Sequence, residues 1–159
     1  MDIGVFLVDF ILFLIVARFA LRRREVEMLE AKDIMTKQVV SVRRDTPVEE
    51  ALELLLANRI SGMPVVEKDM TLAGIVTEKD FLGLLYQPGG AKRKTVEEFM
   101  TQPAVHFEED ESLDEICKCL LDAPFRRVLV TRKEKVVGIV SRPDVIRCIL
   151  QLSGGRVDM

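Results

Sequence analysis

Two short stretches combine residue types that could hold an anion or a diol: Thr77-Glu78-Lys79-Asp80 and Ser141-Arg142-Pro143-Asp144. Each sets a hydroxyl three residues ahead of a carboxylate, the arrangement that caps a helix N-terminus. A helix begun there has free N–H groups and the positive end of its dipole, which suits phosphate. Its carboxylate can also accept two hydrogen bonds from a vicinal diol. Without a ligand, the same residues simply satisfy backbone N–H groups. Cations stand nearby. Arg126 and Arg127 precede a strand beginning at Val128, Arg142 lies inside the second stretch, and Lys79 inside the first beside Glu78. They are either phosphate partners or solvated surface charges.

Other chemistry is sparse. His106 is the one histidine, and Cys117, Cys119 and Cys148 are the three cysteines, too few for a zinc cage of the usual spacing or a disulfide scaffold. Cys117 and Cys119 are two apart on a helix and share no face, so all three read as small apolar residues. Glu108-Glu109-Asp110-Glu111 reads as a solvated loop, with divalent-cation binding as the alternative. No nucleophile–base pair, Gly-rich phosphate loop or pair of catalytic carboxylates can be made out, which argues against an enzyme. A net charge of −3, no Trp and one Tyr argue against a nucleic-acid binder.

The elements that must position these residues emerge from a repeat. When the chain is shifted on itself by about 65 residues, Asp33-Ile34-Met35-Thr36 falls on Glu98-Phe99-Met100-Thr101 and Leu55-Leu56 on Leu120-Leu121. After one deletion, Gly74-Ile75-Val76-Thr77 falls on Gly138-Ile139-Val140-Ser141 and Asp80 on Asp144. Each copy reads β-α-β-β-α. A strand (39–42 or 104–107) is followed by a helix capped through Thr46-Pro47 or Ser112. Two strands then meet at a polar turn (63–66 with 72–76, 128–131 with 136–140), and a last helix runs to about Tyr86 or Leu152. The 159 residues, 48% hydrophobic and 31% charged, suit a folded α/β (α+β) protein of two small units sharing buried surface. The expected limits are 31–86 and 95–153 for the repeats, 87–94 for a linker and 154–159 for a tail.

The N-terminal end differs. Ile3 to Ala20 is apolar apart from Asp9 and Arg18, long enough as a helix (~27 Å) to approach a ~30 Å hydrocarbon core. Its thirteen Ile, Val, Leu and Phe residues favour insertion by roughly 4–8 kcal/mol against ~3 kcal/mol for a central Asp. Arg22-Arg23-Arg24 would then hold the remainder on the cytoplasmic face. Residues 1–24 are expected to be a membrane anchor, or else a helix buried in an oligomer interface. Residues 25–32 read as a charged connecting helix.

Together, Asp33-Ile34-Met35-Thr36, Ser61-Gly62-Met63-Pro64-Val65-Val66, Gly74 to Asp80 and Gly138 to Asp144 resemble the cystathionine-beta-synthase (CBS) domain pair, or Bateman module, over about 31–153. The resemblance implies a regulatory module, not an enzyme. It implies a pseudo-two-fold pair that binds AMP, ADP or ATP between the repeats and associates as a homodimer. Thr77 with Asp80, and Ser141 with Asp144, would face ribose and phosphate. Val39, Val40, Met63 and Pro64 in one copy, and Val105 and Val128 in the other, would face adenine. Lys79, Arg126, Arg127 and Arg142 would serve phosphate. The adenine nucleotide is the expected partner, with a membrane or membrane protein as the receiver of the signal. Two other readings stay open: a structural or oligomerisation module without ligand, and a cytoplasmic regulatory subunit of a transporter sensing a divalent cation through Glu108–Glu111. Leu129, where the first copy has Pro64, marks a departure that bears on the second pocket. Phe125, opposite Ile60, could stack on a purine or pack in the core.

Overall fold

The computed structural model describes residues 28–153. The apolar segment and the anchor or buried helix expected from it lie outside those residues. Among the described residues, no helix is long and apolar enough to cross a membrane. The connecting helix also lies largely outside them, and its described end is not helical until Ala31.

After the short helix α1 (Ala31–Ile34), the first repeat contains α2 (Val48–Asn58), the antiparallel strands β1 (Gly62–Val66) and β2 (Leu72–Thr77), α3 (Glu78–Phe81) and a 3-10 turn over Leu82–Tyr86. The second contains β3 (His106–Glu108), α4 (Leu113–Asp122), β4 (Arg127–Arg132), β5 (Lys135–Ser141) and α5 (Arg142–Leu152). Its sheet has the order β3-β4-β5, with β3 parallel and β5 antiparallel to β4.

The capping signals act as expected at α4, where Ser112 Oγ accepts from Glu115 N at 3.4 Å. At α2 they shift by one residue. Pro47 is the cap, and Thr46 Oγ instead accepts from Arg43 N at 2.9 Å.

The strand expected over 39–42 is reduced to one bridge between Val42 and Val65. Proline causes this. Val42 N donates to Pro64 O and Val66 N to Val42 O, so this edge of β1 faces the 39–42 segment. Pro64 presents its nitrogen to the same edge without a hydrogen to donate, and the ladder stops. The second copy has Leu129 there and keeps its strand, with His106 opposite Leu129.

The two cores are built by exchange. Val96, Phe99 and Met100, which open the second repeat in sequence, pack into the first core with Val48, Leu55, Met63 and Val76. Ala31, Ile34 and Met35, which open the first repeat, pack into the second core with Ile116, Leu120, Val130 and Val140. Paired backbone bonds secure each crossing. Thr101 and Ile75 exchange N–H···O bonds at 2.8 and 3.0 Å, and Thr36 and Ile139 do so at 2.9 and 3.0 Å.

This crossing explains why a Met-Thr element and a glycine recur in both repeats. A Cβ on Gly74 would lie 2.7 Å from the Thr101 carbonyl oxygen and 3.3 Å from Met100 Sδ, and a Cβ on Gly138 would meet the Met35 side chain. The Met-Thr element of each repeat therefore needs the bare glycine of the other.

Candidate functional site

Between the repeats lies an open cleft of about 520 Å³. The first repeat supplies Ser61 and Gly62 at the start of β1, Ile75 and Thr77 from β2, and Glu78, Lys79 and Asp80 from α3. The crossing segment supplies Thr101, Pro103, Ala104 and Val105, and the turn into β4 supplies Pro124, Phe125, Arg126 and Arg127. Two backbone bonds frame it alike in both repeats: Glu78 N donates to Ser61 O and Arg142 N to Arg126 O, each at 3.1 Å. Arg127 spans the repeats, its guanidinium donating to Ser61 Oγ at 3.1 Å.

The first hydroxyl–carboxylate box lies in this cleft. Asp80 Oδ2 accepts from both Thr77 N and Thr77 Oγ1, each at 2.7 Å. Among the described residues nothing donates to Asp80 Oδ1, and Asp80 is only half-buried. The box thus does its capping work with one oxygen and keeps a second acceptor for another donor. Lys79 and Arg126 are exposed at the cleft and Arg127 half-buried, which offers three cations against Glu78 and Asp80. Such a site can take a group that both donates hydroxyl hydrogen bonds and carries negative charge.

Of the residues expected at the site, the structure brings together Thr77, Lys79, Asp80, Val105, Arg126 and Arg127. It places the others elsewhere. Met63, Pro64 and Val128 are buried in the cores. They alternate or continue along strands enclosed on both faces, which leaves their side chains no cleft to face. Val39 and Val40 are half-buried and do not line the cleft.

Arg142 is turned away from any anion. Its guanidinium donates to the Leu120 carbonyl at 2.9 Å and reaches those of Ala123 and Phe125, closing the C-terminus of α4. Its stem lines an apolar groove with Cys117, Leu121, Ile146 and Ile149.

Asp144 is 5% exposed. Its Oδ2 accepts from Ser141 N at 2.7 Å and from Ser141 Oγ, while Oδ1 takes Thr36 Oγ1 at 3.4 Å and the Arg147 guanidinium. The two aspartates therefore do not share a crevice.

The sequence reading did not single out Thr101, Pro103 or Pro124. Thr101 was visible as the repeat partner of Thr36, but its arrival beside β2 depends on the crossing. Phe125 packs against the second core and also lines the cleft. His106 is exposed, with Nδ1 3.0 Å from the Ala104 carbonyl oxygen, and does not line the cleft.

The acidic run is a brace. Glu108 accepts from Thr131 Oγ1 and Lys133 N, and Glu109 from Arg132. The Glu109 and Glu111 carbonyls accept from Lys32 N and Ala31 N, each at 2.9 Å. Among the described residues no group of three or more side chains could hold a metal ion. Burial pushes the Cys117 and Cys148 thiols up, as expected of structural rather than reactive cysteines.

A duplicated β-α-β-β-α unit with exchanged lead segments, a cleft at the seam and a hydroxyl–carboxylate box in each half define a tandem CBS pair. The family model for the CBS domain matches twice, over residues 31–87 and 96–151, and the chain belongs to the CBS domain family.

It is similar to the CBS domain-containing protein CBSX1, chloroplastic, of Arabidopsis thaliana, with 33% identity over 156 residues. That match covers 78% of this chain and 66% of the relative, so the chain spans just under two thirds of its length. The solved structure of CBSX2 in complex with AMP is 30% identical, with a TM-score of 0.70, covering 78% of this chain and 98% of that one. A CBS domain pair in complex with 5′-methylthioadenosine and S-adenosyl-L-methionine is 29% identical, with a TM-score of 0.66, covering 77% and 96%.

Proposed function

We propose that this chain is a regulatory module that senses an adenine nucleotide of the AMP, ADP and ATP class in the cleft holding Asp80. The observation that carries this reading is the free acceptor Asp80 Oδ1 set among Lys79, Arg126 and Arg127 at the seam of the repeats. A ribose diol donates to the carboxylate, a phosphate meets the cations, and a purine fits beside Phe125, Ile75 and Val105. CBSX2 solved with AMP supports the same ligand class. The sulfonium of S-adenosylmethionine suits a cleft with an excess of cations less well than a phosphate does.

Because the cleft is walled by both repeats, occupancy favours one arrangement of them over another, which is the condition for passing a signal. Exposed Leu82, Leu85 and Tyr86 on one repeat and Leu121, Ile146 and Ile149 on the other support a homodimer as the unit that transmits it. The apolar run 3–20 supports attachment to the inner face of a membrane, with the sensor in the cytoplasm. A purely structural module is the second reading, favoured by those same apolar side chains.

Isothermal titration of the chain with AMP, ADP and ATP separates the two. Binding heat is expected, with an affinity that Asp80→Asn lowers by about 10–100-fold. A folded chain with no heat and no thermal shift at millimolar nucleotide overturns the sensor reading.

A further inference from the structure

The two boxes share their backbone bonds and differ three residues further on. Aligned on Asp80 and Asp144, the first copy has Gly83 and the second has Arg147. On a helix that spacing returns a side chain to the carboxylate. Arg147 uses it: its guanidinium pairs with Asp144 Oδ1, the oxygen that Thr36 Oγ1 also reaches, 3.4 Å away. Gly83 has no side chain to return, and Asp80 Oδ1 takes no donor among the described residues. Nor does space explain the difference, since a Cβ added at Gly83 would meet no atom within 4 Å.

We infer that the residue three positions after the aspartate decides which box is open to a ligand. Arg147, with Thr36, supplies to Asp144 the N–H and O–H donors that a diol would otherwise supply, so the second box is filled by the protein itself and each chain offers one site. The guanidinium is the stronger donor because both partners are charged. Asp144 is correspondingly buried at 5% exposure.

For its ligand arm the inference rests on the nucleotide reading above. Its other arm needs no ligand. In titrations of the full chain with AMP, the wild type is expected to bind one equivalent. Gly83→Arg, which brings a guanidinium to Asp80, is expected to bind at least 10-fold more weakly, while Gly83→Met, which has no donor, controls for bulk and binds within 3-fold of wild type. Two equivalents bound by the wild type, or unchanged affinity in a folded Gly83→Arg chain, overturns the inference and leaves the nucleotide reading standing.

The ligand-free arm compares urea midpoints of Asp144→Asn, Arg147→Ala and the double variant. Midpoint losses in the double variant well below the sum of the single losses are expected, and additive losses overturn the inference. Arg147→Met, which keeps the length and removes the donor, serves the same cycle if Arg147→Ala does not fold. Absence of any AMP binding overturns the nucleotide reading alone, and the cycle then decides the inference.

Discussion

Thr77–Asp80 and Ser141–Asp144 are one motif in two surroundings. In both, the aspartate accepts from its capping residue's N–H at 2.7 Å and from that residue's hydroxyl. In the first, the remaining oxygen has no donor among the described residues and the aspartate lines a cleft walled by both repeats; in the second, Thr36 and Arg147 cover it. A capping box therefore reports where a helix starts, and whether it can also bind depends on who donates to its second oxygen.

The same duplication and divergence recur at a second pair of positions. Arg44 holds Glu67 at 2.8 Å in the first repeat. At the equivalent places the second repeat has Glu109 and Arg132, the same pair with its charges exchanged. The geometry persists because attraction is indifferent to which side carries which sign.

The largest test concerns whether the two cores are one cooperative structure. Met63→Ala and Ile116→Ala remove fully buried side chains from different cores and are each expected to cost about 3 kcal/mol. Because the lead segments cross between cores, both variants should lower a single urea transition. Two separate transitions would break the picture of exchanged cores.

The glycines give the next effect. Gly74→Ala meets a backbone oxygen, which cannot swing aside, and is expected to cost about 2 kcal/mol. Gly138→Ala meets the flexible Met35 side chain and should cost about 1 kcal/mol. Equal urea-unfolding losses would show that Met35 is held as rigidly as a carbonyl.

Smaller again is the contrast between the aspartates. Asp144→Ala strands the Arg147, Thr36 and Ser141 donors and should lower stability by about 2 kcal/mol, against about 1 kcal/mol for Asp80→Ala, which loses capping alone. Thermal unfolding without ligand measures both, and a larger loss at Asp80 would reverse the assignment of open and filled boxes.

The smallest effect is that of the charge-exchanged pair. The hydrogen bond from Arg132 holds the Glu109 carboxyl below its ordinary value of 4.5. Its contribution to stability is therefore present above that value and is lost as pH falls through the depressed one. Glu109→Gln should lower the melting temperature slightly at pH 7 and flatten its fall below about pH 4.5. An unaltered acid profile would remove the pair from the account.

Much of this molecule was readable along the chain. Apolar runs meeting at polar turns marked the hairpins, Ser112 marked a helix start, and the 65-residue shift exposed the duplication. The hairpin and cap signals depend on neighbours within a few residues, and the repeat on comparing the chain with itself. Proline at 64 was also visible, and its missing hydrogen shortens the preceding strand, but which edge it faced was not visible. The site was legible only in part. Asp80, Thr77 and Lys79 lie together because they are consecutive, whereas Thr101, Pro103 and the Arg126–Arg127 turn reach the same cleft by crossing from elsewhere. Arg142 misled because a guanidinium beside a helix start can serve phosphate, and here the open C-terminus of α4 takes it instead.

The linear order of residues by itself determined two copies of one unit, their helix caps, their hairpins and the pair of acidic boxes, since each follows from side-chain period and local hydrogen bonding. Only the tertiary structure decided that lead segments trade cores, and that one aspartate keeps an oxygen open while its twin does not. The reason is that Thr36 approaches Asp144 from 108 residues away, and the cleft at Asp80 exists only where two repeats meet.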